Sequence, residues 1–204
     1  MVLMYLHGFR STPMSKKGQI MREAFSGRVQ YLAPDLNTSP SHVQTIIQEA
    51  IKGIAPEELC LVGSSLGGFY ATWLAEKVGC RAILLNPATE PWSVINDYLG
   101  LQPIIGNTNR FIEVKPEFAD EVRQMNCERI HPERYLVFLS THDEVLDWHK
   151  AKSKYAACRQ ILLPGNTHEI DHFEQCLPEI EHFLQKCRRK GLSKWNTHLF
   201  PLCF

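Results

Sequence analysis

The sequence predicts an α/β fold in which a mainly parallel sheet of about six strands is covered by helices on both faces. Three observations lead to it. Short apolar runs alternate with longer stretches of helical periodicity, as expected when strands and covering helices follow one another along the chain. The strongest runs, Leu59-Cys60-Leu61-Val62 and Tyr135-Leu136-Val137-Phe138-Leu139, are apolar throughout, which suits strands covered on both faces. Finally, 204 residues at 44% hydrophobic composition are enough for one sizeable core, with no internal repeat and no linker to divide it.

Each element has its own signal. Strands are read at about 2–6, 29–32, 59–63, 82–86, 135–140 and 160–163. Thr12-Pro13 reads as an N-cap followed by a proline at the first helical position. Ser41-His42-Val43-Gln44 has the form of a capping box and opens a helix with Val43, Ile46, Ile47, Ala50, Ile51 and Ile54 on one face. A helix over 66–78 carries Leu66, Phe69, Tyr70, Trp73 and Leu74 on one stripe and stops at Gly79. The one long gap runs from Pro87 to about Arg134 and reads as a small cap insertion, with Pro91 and Pro116 as first-turn prolines of two short helices. After the last strand come the turn Pro164-Gly165-Asn166 and a helix expected to start at His168, with Thr167 as its N-cap.

The chemistry enters through Gly63-Ser64-Ser65-Leu66-Gly67, a Gly-x-Ser-x-Gly elbow between strand and helix. A strand turning sharply into a helix holds its serine in strained backbone, and only small flanking residues let the turn close. Ser65 is therefore the candidate nucleophile, and Ser64, one position off the motif, a packing or hydrogen-bonding residue. A plain flexible Gly/Ser turn is the rival reading, and the flanking strand and helix weigh against it.

A nucleophilic serine needs a base and an orienting acid, in the chain order serine, acid, histidine. Asp143 follows the strand 135–140 at its C-terminal end, where catalytic acids of open α/β sheets sit. His168 follows the strand 160–163 and is the candidate base. Asp147 is the alternative acid and His172 the alternative base, while Glu144 reads as a solvated or helix-start carboxylate, and His142 and His7 as structural. An oxyanion hole requires two backbone N–H donors. Leu66, after the nucleophile, supplies one, and Phe9 in the loop His7-Gly8-Phe9-Arg10 is the best candidate for the other.

His168-Glu169-Ile170-Asp171-His172 also matches His-Glu-x-x-His, the zinc metalloprotease signature. That signature needs two histidines one turn apart within a long helix and a third ligand, whereas here a turn precedes His168 immediately. No metal is expected.

The segments Tyr5-Leu6-His7-Gly8-Phe9, Val62 to Leu74, Asn86-Pro87-Ala88, Asp97-Tyr98-Leu99-Gly100, Asp143 to Asp147 and Tyr155 to Gln160 resemble, in order, those of the small bacterial YqiA-like esterases of the α/β-hydrolase superfamily. The resemblance covers residues 1–187 and leaves 188–204 as a C-terminal tail. It implies a single domain with a minimal α/β-hydrolase fold, two strands short of the full sheet, and ester or thioester hydrolysis by Ser65, Asp143 and His168. It departs before the histidine, where Asn166-Thr167 replaces a Gly-rich turn, and after it, where Ile170 stands for Phe.

Composition excludes several other classes. Balanced charge, 22 basic against 22 acidic residues, gives no footprint for nucleic acid. No apolar run reaches the ~20 residues needed to span a bilayer, and strand signal at the very start leaves no room for a signal peptide, so a cytoplasmic location is expected. Seven cysteines without Cys-x-x-Cys spacing read as reduced thiols. The expected activity is cofactor-free hydrolysis of a small-molecule ester or acyl thioester, with Trp92, Tyr98, Phe111 and Phe118 of the cap lining an acyl pocket or filling the cap's own core. A noncatalytic binding module on the same fold is the alternative from another class, and a zinc hydrolase using the segment 168–172 is the third candidate.

Overall fold

The computed structural model describes residues 1–192 and, for 107, 108 and 186–192, the backbone alone. In chain order the elements are β1 (Val2–Leu6), α1 (Lys16–Ala24), β2 (Gln30–Leu32), α2 (Pro40–Ala50), β3 (Leu59–Ser64), α3 (Leu66–Val78), β4 (Arg81–Leu85), β5 (Gly100–Ile104), β6 (Asn107–Val114), α4 (Glu117–Gln124), β7 (Tyr135–Ser140), α5 (Trp148–Lys154), β8 (Arg159–Leu163) and α6 (Leu177–Leu192). Six strands form one parallel sheet in the order β2-β1-β3-β4-β7-β8. The order reverses at β1, so the crevice between the C-terminal ends of β1 and β3 is the switch point where such sheets bind ligands.

Alternate residues of each central strand feed two cores. Met4, Leu61, Leu84 and Val137 pack on one face against Val43 and Ile47 of α2, Phe69 and Leu74 of α3, and Ala151 of α5. Leu3, Val62, Ile83 and Leu136 pack on the other against Met21 of α1 and Ile180, Phe183 and Leu184 of α6. Each such aliphatic side chain, fully withdrawn from water, contributes about 1.5–3 kcal/mol. None of the described helices is long and apolar enough to cross a membrane. Of the expected tail, 188–192 continue the backbone of α6 and 193–204 lie outside the described residues.

Several local expectations need correction. Ser15, not Thr12, caps α1: its hydroxyl accepts from Gly18 N, while the Thr12 hydroxyl accepts from Met14 N in the preceding turn. Ser39, not Ser41, caps α2 by accepting from His42 N, and Pro40 takes the first position. Ser41 instead donates its N–H to the Glu121 carboxylate on α4. The cap holds a feature the sequence reading missed, an antiparallel hairpin of β5 and β6. Single 3₁₀ turns, Pro91–Ser93 and Ile95–Tyr98, precede it, and α4 follows Pro116.

Candidate active site

The elbow is as tight as its glycines imply. β3 enters Ser65 at φ 54°, ψ −120°, a strained conformation for a residue with a side chain, and α3 begins at the next residue. Hydrogen bonds hold the strain: Ser65 N donates to Leu85 O at 3.0 Å, and Ser65 O accepts from Gly68 N at 2.9 Å and Ala88 N at 3.0 Å. A Cβ on Gly63 would lie 2.3 Å from Gly67 O, and one on Gly67 only 2.0 Å from Leu6 O. The close approach of β3, α3 and the end of β1 is thus available only to glycine.

Asp143 and His168 meet beyond the ends of β7 and β8. Asp143 Oδ2 lies 2.8 Å from His168 Nδ1, and its Oδ1 accepts from the N–H groups of Val145 (2.9 Å) and Leu146 (2.8 Å). The carboxylate is 1% exposed and the imidazole 11%. With Nδ1–H donated to the carboxylate, Nε2 is the acceptor nitrogen, the tautomer a general base requires.

The segment carrying His168 is not the expected helix. Residues 167–172 form an irregular turn; the next helical geometry is a 3₁₀ turn at Phe173–Cys176 leading into α6. Thr167 does not act as a cap but donates its N–H and hydroxyl to the Asp171 carboxylate. Ile170, at φ 56°, buries its side chain in the core with Phe173. That burial pulls the chain inward where a helix would run on, so His168 and His172 lack the one-turn spacing of a metal-binding helix, and His172 is exposed. Among the described residues no group of three or more His, Cys, Asp or Glu is arranged to hold a metal.

The other candidates fall away from the pair. Asp147 is the N-cap of α5 and accepts from His149 N. His142 lies exposed beside Thr141. Glu144, read from sequence as solvated or helix-starting, accepts the His168 N–H at 3.0 Å. Two further residues given no role in the sequence reading also hold this turn. Lys17 of α1 is buried and donates to Glu169 O and to the Glu169 carboxylate, and Asn86 donates to His168 O. Lys17 left one faint trace in the sequence, a lysine one turn before Met21 on the buried stripe of α1.

A cavity of about 270 Å³ opens at Ser65 and is bordered by Gly8, Phe9 and Leu66. Its walls are mostly apolar, with Ile95, Tyr98, Ile112, Val114, Phe118 and Val122 contributed by the cap. Of the four cap aromatics Tyr98 and Phe118 border this cavity, Phe118 also packing in the cap's own cluster, and Trp92 and Phe111 do not. Trp92 packs edge-on to Phe69 against the main core. Phe111 is 53% exposed, because side chains alternate along β6 and its neighbours Ile112 and Val114 take the inner face.

The loop after β1 passes over Ser65 closely enough that a Cβ on Gly8 would sit 3.2 Å from Ser65 Cβ. The hairpin fastens this loop: Ile105 N donates to Arg10 O at 2.7 Å, and Arg10 Nε to Pro103 O at 2.9 Å. The hairpin is also tied to the loop after β2, through the ion pair of Arg110 on β6 with Asp35. Burial alone would raise the Asp35 carboxyl pKa, but hydrogen bonds from Arg110 and Asn37 outweigh it and hold the group below its ordinary range.

His7 is 1% exposed; its Nε2 accepts from Leu36 N at 2.9 Å and its Nδ1 donates to Gly8 O at 2.9 Å. Burial, opposed by the Gly8 bond and Asp35, lowers its pKa. The unfolded chain therefore takes up this proton more readily than the folded one, and the stability due to neutral His7 is lost as pH falls below the ordinary imidazole value of about 6.5. Urea titrations at pH 7.5 and 5.5 are expected to show this loss, and His7→Gln to reduce it. Equal pH sensitivity in the two proteins would contradict the assignment.

A family model described as "Uncharacterised protein family (UPF0227)" matches residues 2–185. A UPF0227 protein of Serratia proteamaculans (strain 568) is 26% identical over 156 residues, covering 72% of this chain and 77% of its own. Another, from Yersinia pseudotuberculosis serotype O:1b (strain IP 31758), is 27% identical over the same shares. Among solved structures, Est1E from Butyrivibrio proteoclasticus aligns with a TM-score of 0.64 at 16% identity, covering 92% of this chain and 88% of its own. Alpha/beta hydrolase domain-containing protein 10 from mouse gives 0.67 at 14% identity, covering 91% and 90%. Carboxylesterase CesB (YbfK) from Bacillus subtilis gives 0.58 at 13%, covering 90% and 83%. The fold is that of the α/β hydrolases, with a six-stranded parallel sheet.

Proposed function

The chain belongs to the UPF0227 family, the YqiA-like group that its segments resemble, and from that premise we propose that it is a serine hydrolase cleaving carboxylic esters or acyl thioesters through an acyl-Ser65 intermediate. The observation that carries this reading is the buried Asp143–His168 pair, 2.8 Å apart, at the same end of the sheet as the strained Ser65. Strain of about 1–3 kcal/mol at one serine persists only where its surroundings enforce it, and it presents a nucleophile rather than a passive binding surface.

In this reading His168 Nε2 takes the Ser65 proton as Oγ attacks the substrate carbonyl. The N–H groups of Phe9 and Leu66 receive the developing oxyanion. Collapse of the tetrahedral adduct breaks the bond to the alcohol or thiol, which leaves with the proton from His168. Water, deprotonated by the same imidazole, then attacks acyl-Ser65 and frees the carboxylic acid. Asp143 holds the tautomer throughout. The apolar cavity beneath the cap takes the acyl group, with Tyr98 and Phe118 in its wall. Among the described residues the 168–172 turn offers a zinc hydrolase no helix to carry its ligands.

A fluorophosphonate probe tests the reading. Intact-mass analysis is expected to show one adduct on the wild type and none on Ser65→Ala. Wild type that stays unlabelled, and that turns over short p-nitrophenyl esters no faster than Ser65→Ala, would leave the noncatalytic binding module in its place.

A further inference from the structure

We infer that Asn86 is a positioning residue that sets His168 against Asp143 and Ser65. It stands one residue past β4, is 3% exposed, and takes φ 43°, a left-handed conformation that asparagine tolerates better than most residues. Its side chain reaches two other chain segments. Oδ1 accepts from Ser140 N at 2.7 Å, and Nδ2 donates to Ser140 Oγ at 2.9 Å and to His168 O at 3.0 Å, with Thr167 O at 3.4 Å.

The amide can face only one way. Ser140 N is solely a donor, so an oxygen must meet it; the carbonyls of residues 167 and 168 are solely acceptors, so the NH₂ must meet them. The three segments so joined are those that carry the proposed triad. Leu85, the neighbour of Asn86, accepts the Ser65 N–H; Ser140 ends the strand leading to Asp143; and the third contact is His168's own carbonyl. Of the turn's other ties, the Glu144 contact is exposed and screened, and buried Lys17 binds Glu169, the residue after His168, without touching residue 168 itself. The Asn86 bonds to Ser140 are buried and those to the carbonyls of residues 167 and 168 half-buried, on a side chain that is itself withdrawn from water, so losing the amide donor there would be costly.

The inference rests on the hydrolase reading, so its test includes a readout on the resting protein. Asn86→Asp keeps the size, the tolerance of positive φ and the oxygen for Ser140 N, but turns a second oxygen toward two carbonyls. It is expected to abolish or broaden the hydrogen-bonded His168 Nδ1–H proton resonance, and to lower kcat about 10- to 100-fold with KM changed less than threefold. Ser140→Ala, which strips one contact from the β4–β7 link and spares the His168 contact, should keep the resonance and a kcat within threefold of wild type. If Asn86→Asp cannot be recovered folded, Asn86→Gly, which takes the positive φ without strain and deletes the amide, carries the same expectation. An Asn86 variant that keeps both the resonance and kcat within threefold of wild type, whatever its melting temperature, makes the residue a structural staple and overturns the inference. A wild type without turnover or labelling sinks the hydrolase reading, and the resonance still decides the positioning.

Discussion

Ser65→Ala and His168→Ala are each expected to lower kcat by about 10⁵- to 10⁶-fold, and the double variant to lose no more than either alone. The reason is that the groups act as a unit: a serine hydroxyl without its base is a poor nucleophile, and a base without the hydroxyl has no proton to take. Asp143→Asn should cost about 10⁴-fold by another route. Asp143 Oδ1 is held by the N–H groups of Val145 and Leu146, so an amide there keeps its oxygen on them and turns its NH₂ toward His168 Nδ1. The imidazole must then carry its proton on Nε2, where it cannot accept one from Ser65. Steady-state kinetics on a p-nitrophenyl ester, with folding checked by circular dichroism, measures all four variants. Multiplicative losses in the double variant, or wild-type kcat in Asp143→Asn, would break the triad assignment.

Gly67→Ala is expected to destabilise the protein by at least about 4 kcal/mol or to leave it insoluble, well beyond the usual cost of a point substitution. The added methyl would lie 2.0 Å from Leu6 O and 2.6 Å from His7 O. Leu6 is the last residue of β1 and His7 follows it directly, so this backbone cannot move without breaking the pairing of Leu6 with Gly63 of β3. Gly53→Ala provides the contrast. Its methyl would meet nothing within 4 Å, and only its φ of +79° opposes the change, a cost of roughly 1 kcal/mol. Urea unfolding followed by tryptophan fluorescence compares the two. A Gly67→Ala midpoint equal to wild type would mean that β1 and α3 do not approach as closely as described.

The sequence alone determined the order of the six sheet strands along the chain, the elbow, and which serine it presents. These are local matters: apolar runs declare buried strands, and a strained turn tolerates only small residues at fixed spacing around one position. Chain order sufficed to nominate Asp143 and His168, since each follows a strand that ends at the same edge of a parallel sheet. It did not give the shape of the turn between Thr167 and His172. There Ile170 packs into the core and the Asp171 carboxylate takes both donors of Thr167, and together they outweigh the helical spacing the segment shows on paper.

The cap was less legible. Pro103 masked β5, although a proline is acceptable on the open edge of a two-stranded ribbon. Aromatic character could not separate Tyr98 and Phe118, which face the cavity, from Phe111, which the alternation of β6 turns outward, or Trp92, which belongs to the main core. Only the tertiary structure brought Lys17, Asn86 and Glu144 onto the His168 turn. Their partners lie 152, 82 and 24 residues away, so no local period announces them. A backbone preference is written into neighbouring residues, whereas a hydrogen bond between distant ones exists only after the sheet has assembled and brought the two groups together in place of the water that would otherwise satisfy both.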